Sequence, residues 1–286
     1  MRRLDVSDRK GGLVQLGPTM LFAALFLFVP LLTLATYSLS EKTGFAVFEL
    51  TFTLDNYRSA IGTDLYLGVI AQTMVTGLIV AGVVVGIAYP LAYILTFVFP
   101  SKRELVYLLI LVSLFGGYVV RIYAWRTILD SSGIINGSLV ALGAIDEPIA
   151  QIGNSRFAVV IALVNFLLPL ALLPLYASFQ NLPRELIDAS RDLGAPRRVV
   201  IRTVILPLTK GGFRAAIAFS FVLAAGDYAT SALLGGTSGI MVGRVIADQF
   251  TVALNWPLGA ALAVVAAVIV AGLYAIVMLV FSRLAR

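Results

Sequence analysis

Two charged side chains within long apolar runs are the residues best placed to do chemistry in this sequence. Arg121 lies in the run 105–128, and Asp227, followed by Tyr228, lies in the run 213–234. A charge inside such a run is costly if the run crosses a membrane, and it usually faces a water-filled cavity or an opposite charge. We therefore treat both residues as candidates for a functional site.

Three interpretations of this pair remain open. The two side chains can line a shared vestibule in the outer half of a membrane, where Asp227 and Tyr228 meet a cationic solute. The rings of Tyr123 and Trp125 would then add cation–π contacts. Alternatively, Arg121 pairs with Asp227 and locks two helices together, or both side chains extend to the outer headgroups.

Asn165 is a further polar residue inside an apolar run, which covers 157–179. It can line the same vestibule, or it can hydrogen-bond to a neighbouring helix. The sequence leaves both roles open.

Several kinds of chemistry are excluded by residue types. The sequence has no cysteine and no histidine, which removes disulfides, thiolate or imidazole metal sites and the common nucleophile–base pairs. The glycine-rich segment 235–239 lacks the Lys-Ser/Thr ending of a phosphate-binding loop. Gly226-Asp227 resembles a membrane aspartyl protease motif, but no second intramembrane aspartate is present to share the proton. We expect no enzyme activity, no metal and no cofactor in this chain.

The composition predicts an all-α integral membrane protein. Of 286 residues, 60% are hydrophobic and 13% are charged, against about 45–50% and about 25% in soluble domains. Six apolar runs are long enough, at about 20 residues, to cross a bilayer as helices. The net charge of +6 does not indicate nucleic acid, because the cations lie between the apolar runs. The runs cover 18–39, 66–99, 105–128, 157–179, 213–234 and 258–281.

The distribution of lysine and arginine predicts the orientation. Most of the 21 basic residues fall on the side that holds both termini, so both termini are expected to be cytoplasmic. The expected organisation is a cytoplasmic segment 1–17, one six-helix domain 18–282 and a tail 283–286. A cleaved signal peptide is the competing interpretation of the first run, but that run is long and has no small-x-small cleavage site. The second run is too long for one straight span, and Pro90 is the expected break.

The cytoplasmic link 181–210 has the pattern of a helix–turn–helix. Pro183 suits the first turn of a helix, Gly194 suits a left-handed stop, and Pro196 prevents continuation. A second helix is expected to run until Pro207 breaks it. One face of the first helix carries small and apolar side chains at spacings of three and four. These are Leu186, Ala189, Ser190 and Leu193.

Two roles fit this link. Its first helix can lie on lipid headgroups as part of a basic loop. It can also be a rigid docking surface for a cytoplasmic partner, with Ala189 and Ser190 allowing close approach and Asp188 and Arg191 forming ion pairs across the contact.

The link resembles the cytoplasmic loop of the membrane subunits of binding-protein-dependent ABC importers of the type I fold. In that family, Glu-Ala-Ala is followed by Gly after three residues and by Ile-x-Leu-Pro after about nine more. The corresponding segments here are Asp188-Ala189-Ser190, Gly194 and Val204–Pro207. The resemblance implies that this is the coupling helix, which sits in a groove of an ATPase subunit. The implied docking residues are Glu185, Leu186, Asp188, Ala189, Ser190, Arg191, Leu193, Gly194 and Ala195.

Other segments are similar to the spermidine/putrescine permease branch of that family, and the likeness covers approximately residues 18–282. The branch also serves other small solutes, such as opines, aminophosphonates and thiamine. The segments are 53–57, 89–93, 120–125, 226–228 and 232–236.

The resemblance implies a permease subunit in a bacterial inner membrane, which forms half of a pathway for a small, cationic, polyamine-like solute. Its implied partners are an ABC ATPase dimer that holds Mg-ATP, a second permease, homologous or identical, and a periplasmic binding protein. The chain itself has no Walker motif. The rival is an ion-coupled secondary transporter, which would show inverted repeats and several buried acids.

Overall fold

Long apolar helices make up most of the chain. The computed structural model describes residues 6–45, 47–149 and 152–284. Within these ranges five helices are long and apolar enough to cross a membrane, and a sharply bent pair of shorter helices makes six if it counts as one span. The expected all-α membrane class is therefore confirmed.

The chain divides into two units. The first unit comprises the described residues up to Thr63 together with Asp248–Val265. The most apolar stretch of its first helix contains no buried residue. The elements before Thr63 are α1 (Val6–Ser38), β1 (Ser40–Gly44), β2 (Val47–Leu50) and α2 (Asp55–Gly62).

An antiparallel hairpin organises the first unit. Strands β1 and β2 pair with Ser40 opposite Leu50. The indole of Trp256 lies 5.6 Å from the ring of Tyr37 and 5.7 Å from that of Phe48. Asn56 on α2 donates from its side-chain amide to the carbonyl of Ser40 at 2.7 Å. These contacts fix α2 beside the hairpin.

The second unit comprises Asp64–Ala247 and the described residues from Ala266 onward. The last two helices, α12 (Val242–Thr251) and α13 (Trp256–Leu284), have residues in both units. The other helices are α3 (Asp64–Phe97), α4 (Arg103–Leu114), α5 (Tyr118–Leu129), α6 (Ile134–Ala141), α7 (Arg156–Gln180), α8 (Arg184–Asp192), α9 (Arg197–Val200), α10 (Leu206–Ala225) and α11 (Ala229–Leu234).

The core of the second unit lies between α3, α7 and α10, which pack against one another. Leu163, Leu167 and Leu175 of α7 are at most 1% exposed, as are Val80 and Val84 of α3. Half of the most apolar stretch of α7 is buried. The helix α7 is therefore the central element against which the candidate site is built.

The third apolar run is bent and does not form the straight helix expected from the sequence. Helix α4 ends at Leu114, and the chain continues at 91° through α5 and α6. Gly117 has φ +67° and precedes α5, a conformation that costs little only for glycine. Arg121 is thus the fourth residue of α5, and its expected place deep in one straight helix was wrong.

The fifth span begins and ends earlier than expected, running from Arg197 to Ala225. A π-helical turn at Ile201–Ile205 joins α9 to α10, and the amide of Leu206 donates to the carbonyl of Ile201. This wider turn leaves Pro207 at the start of α10, where its missing N–H costs little. The expected break at Pro207 was therefore wrong.

Pro90 does not end its helix either. Helix α3 continues through it, and Ala88 and Ala92 on either side are fully buried. Tertiary packing of small side chains maintains a helix that the proline alone would weaken.

Candidate functional site

A buried carboxylate lies in the short segment between α10 and α11. Helix α10 ends at Ala225, so Asp227 lies just beyond it and not within a helix as expected. Only 8% of Asp227 is exposed. One carboxylate oxygen accepts the hydroxyl proton of Tyr118, and the other accepts the backbone N–H of Thr230 at 3.0 Å. The carboxylate thus caps the start of α11.

The sequence analysis missed Tyr118, which is the main side-chain partner of Asp227. Its hydroxyl also lies 2.6 Å from that of Thr230. The bend after α4 brings Tyr118 to this position, since it is the first residue of α5. The sequence did contain a signal for this bend. The adjacent glycines Gly116 and Gly117 lie inside an apolar run, and such a pair favours a break in a helix.

Arg121 does not form the ion pair with Asp227 that was one of three interpretations. No such bridge is present among the described residues. Its guanidinium instead lies 6.0 Å from the ring centroid of Phe166, which also packs 4.4 Å from the ring of Tyr118. Arg121 and Asp227 are therefore linked only through aromatic rings.

A cavity of about 260 Å³ adjoins Asp227. The residues that line it come from α5, α7, the end of α10, the start of α11 and the segment between α10 and α11. Its surface is largely apolar and aromatic, with Asp227 as its only ionisable carboxylate among the described lining residues. The lining residues include Tyr118, Phe166, Leu223, Asp227 and Tyr228.

The other sequence candidates lie elsewhere. Tyr123 lines a second, more open cavity of about 450 Å³ with Asp130. Trp125 packs against the hydrophobic core. Asn165 is exposed on α7, and the interhelical hydrogen bond that was one of its two interpretations is not present among the described residues. Of the six candidates, only Asp227 and Tyr228 line the same cavity, and Arg121 lies over the ring of Phe166, another residue of that lining.

A second candidate site is α8 with the turn that follows it. Gly194 has φ +76°, and its amide donates to the carbonyl of Arg191 at 2.8 Å. The amide of Ala195 donates to the carbonyl of Ser190 at 3.1 Å. These two bonds form a Schellman motif, which ends the helix at Gly194 as the sequence predicts.

Helix α8 packs on the protein through one buried residue, and most of its other side chains are exposed to solvent. Ile187 is 3% exposed and belongs to the hydrophobic core. By contrast, Leu193 is 88% exposed and Leu186 is 49% exposed. The sequence analysis missed Ile187 as the anchor. An apolar face is thus left uncovered on a helix that is fixed in place.

The helix after the turn is also fixed. The Nε of Arg197 donates to the hydroxyl of Tyr93 at 3.0 Å, and its guanidinium lies 5.4 Å from that ring. On α8 itself, Arg191 and Asp188 are exposed and 3.9 Å apart, a separation that contributes little to stability. Both charges remain accessible to a partner.

Helices of this length and apolarity define an integral membrane protein, and Asp227 lies buried beside a cavity among them. Residues 65–286 match the family described as binding-protein-dependent transport system inner membrane component. The chain belongs to this family.

Known relatives agree with this assignment. The spermidine/putrescine transport system permease protein PotB of Escherichia coli (strain K12) is 32% identical over 262 residues, which are 92% of this chain and 93% of PotB. PotB of Haemophilus influenzae is 32% identical over 243 residues, which are 84% of this chain and 83% of that protein.

A solved structure supports the fold. A chain from the crystal structure of a bacterial alginate ABC transporter, in complex with alginate pentasaccharide-bound periplasmic protein, aligns with a TM-score of 0.74. The alignment covers 96% of each chain at 16% sequence identity.

This protein is accordingly an ABC-importer permease subunit of the bacterial inner membrane and not an enzyme. A permease of this class works with an ATPase and a substrate-binding protein. The resemblance stated from the sequence is confirmed, and the ion-coupled secondary transporter is ruled out by family membership.

Proposed function

We propose that this chain forms half of an ATP-driven pathway that imports a small polycationic solute of the spermidine/putrescine class. The observation that carries this proposal is the burial of Asp227 next to a cavity. Its hydrogen-bond donors are the neutral Tyr118 hydroxyl and Thr230 amide. No cation pairs with it in the described part of the chain. A buried carboxylate without a counter-ion is costly, and a passing ammonium group would offset that cost.

The aromatic lining supports the same class of solute. Phe166, Tyr118 and Tyr228 share the cavity with Asp227, and aromatic faces attract ammonium groups. The names of the PotB relatives point in the same direction. An aminophosphonate or other anionic solute would be repelled by Asp227. Thiamine or an opine remains the alternative within the same mechanism.

We also propose that α8 is the site at which the ATPase docks. The docking residues are those implied by the family resemblance, from Glu185 to Ala195. The exposed leucines of α8 would be buried in the contact, and Ile187 would pass the force to the hydrophobic core. ATP with Mg²⁺ would bind on the ATPase, whose closure would move α8 and open the cavity to the solute. Both termini and α8 would then be cytoplasmic, in keeping with the positive-inside distribution of lysine and arginine.

The test is uptake of labelled spermidine and putrescine by proteoliposomes that contain the full complex. In Asp227→Asn the amide oxygen can still accept from Thr230 and the NH₂ can donate to Tyr118. The charge is lost with little change of shape. We expect uptake to fall at least tenfold, which corresponds to about 1.4 kcal/mol.

Asp130→Asn is the matched control, because Asp130 is exposed and lines a different cavity. It should leave uptake unchanged, and both variants should retain the ATPase on purification. Normal uptake by an intact Asp227→Asn complex would remove Asp227 from the pathway. ATP-dependent uptake of thiamine or an opine, without polyamine uptake, would replace the solute but keep the importer.

A further inference from the structure

A small basic cavity lies where four helix ends meet. It measures about 190 Å³ and is lined by the end of α3, the start of α4, the end of α7 and the start of α8. Its polar lining residues are Thr96, Arg103, Gln180 and Arg184, and its apolar ones are Phe97, Phe179 and Leu182. None of these residues belongs to the cavity beside Asp227.

The cavity is positively charged without a visible counter-ion. Arg103 and Arg184 are the first residues of α4 and α8, where the backbone already carries partial positive charge. Neither arginine forms an ion pair with a carboxylate among the described residues. Glu104 and Glu185 follow them in sequence, but both are exposed and neither lines the cavity. Two guanidinium groups at such a site favour an anion, and a phosphate oxygen pair matches their planar donors.

The apolar part of the lining indicates what kind of anion binds. Phe179 is 1% exposed and Leu182 is 8% exposed, so part of the cavity wall is apolar and buried. The cavity also lies at the ends of α3 and α7, two helices that are long and apolar enough to cross a membrane. Basic pockets between membrane helices bind anionic headgroups.

We propose that this cavity binds the phosphate group of an anionic phospholipid, held by Arg103 and Arg184 with the glycerol end against Phe179 and Leu182. A bound lipid would touch both the last turn of α7 and the first residue of α8. It would therefore brace the joint between the central membrane helix and the exposed amphipathic helix. The site goes beyond the proposed transport function and does not depend on the transported solute.

The test is a lipid titration of the purified full-length chain in neutral detergent, with bound lipid counted by native mass spectrometry. Phosphatidylglycerol should bind in preference to phosphatidylcholine. Arg103→Gln and Arg184→Gln should each weaken phosphatidylglycerol binding about fivefold. Lys102→Gln is the matched control, since it removes the same charge one residue away and does not line the cavity. Replacing both arginines by lysine keeps the two charges but not the planar donors, so it should retain more phosphatidylglycerol binding than the glutamine variants.

Each outcome decides the proposal. Equal phosphatidylglycerol binding by Arg103→Gln, Arg184→Gln and Lys102→Gln would overturn it. One-for-one displacement by inorganic phosphate would keep the phosphate chemistry but overturn the lipid source. Loss of ATPase binding with unchanged lipid binding would assign the two arginines to the protein partner and would also overturn it. Polyamine uptake is a separate readout, so failure of the transport proposal leaves this test intact.

Discussion

Asp227 depends on Tyr118, because a carboxylate that is 8% exposed has lost most of its contact with water. The Tyr118 hydroxyl and the Thr230 amide replace that water. This arrangement holds the carboxylate in place through neutral donors and leaves it without a counter-ion among the described residues. A full ion pair with Arg121 would have locked the site, since a cationic solute would then have to displace an internal guanidinium.

Tyr118→Phe is expected to destabilise the chain by about 1–3 kcal/mol, because it removes a hydrogen bond to a buried charged group. The ring would still pack 4.4 Å from Phe166. The measurement is the midpoint of thermal unfolding in detergent, which should fall by several degrees.

The matched control is Tyr107→Phe. Tyr107 also stacks on a ring, that of Tyr176, at 4.6 Å. Its hydroxyl has no hydrogen-bond partner in the described part of the chain, so its loss should change the midpoint little. Equal midpoints for the two variants would mean that the Tyr118 hydroxyl does not support Asp227.

Helix α8 is held in place by packing, yet it leaves a large apolar side chain exposed to solvent. The Schellman turn at Gly194 ends it, and the buried Ile187 holds it to the core. Leu193, which lies at its end, is nevertheless 88% exposed. A helix that only lay on lipid would not need so rigid a turn, whereas a helix that transmits force to the bundle would.

We expect Leu193→Glu to abolish ATPase binding while leaving the chain folded. The folded chain loses no buried area, but the complex loses about 1.5–3 kcal/mol of leucine burial and gains an unpaired charge in the contact. Retention of the ATPase on affinity purification of the tagged permease is the measurement, with a loss of more than tenfold expected.

Leu142→Glu is its control, because Leu142 is 81% exposed at the end of α6 and lies outside the proposed contact. It should retain the ATPase fully. If both variants lost the ATPase, the effect would come from general loss of folding. If neither did, α8 would not be the docking site.

The sequence predicted those features that depend on local pattern. The stop at Gly194 follows from one glycine and one proline. Apolar length located four of the expected spans closely, but it placed the fifth too late in the chain and the third in one straight helix. The 91° bend before α5 could not be predicted from hydropathy, because hydropathy reports how apolar a segment is and not the direction of its helix axis. The hydrogen bond between Tyr118 and Asp227 depends on that bend, so it could not be predicted from the sequence either. The continuity through Pro207 was missed because a π turn has no distinct residue signature.

In the chain as a whole, Asn165 is a polar group without a hydrogen-bond partner among the described residues. Asn165 is exposed on α7, the central helix of the second unit, within a span that is otherwise almost wholly apolar. An amide that faces hydrocarbon without a partner costs several kcal/mol. A second permease that packs against this face of α7 would cover Asn165 and enclose the pathway between the two halves.

This pairing predicts a specific cross-link in the assembled complex. Incorporating p-benzoylphenylalanine in place of Asn165 should yield, on irradiation of membranes, an adduct between two permease chains. The same probe in place of Val268, which is 66% exposed on α13, should react with lipid because no polar group marks that surface. An adduct of two identical chains would identify a homodimer, and an adduct with a homologous permease would identify a heterodimer. Lipid adducts alone at both positions would contradict the pairing, since Asn165 would then face the bilayer in the working transporter.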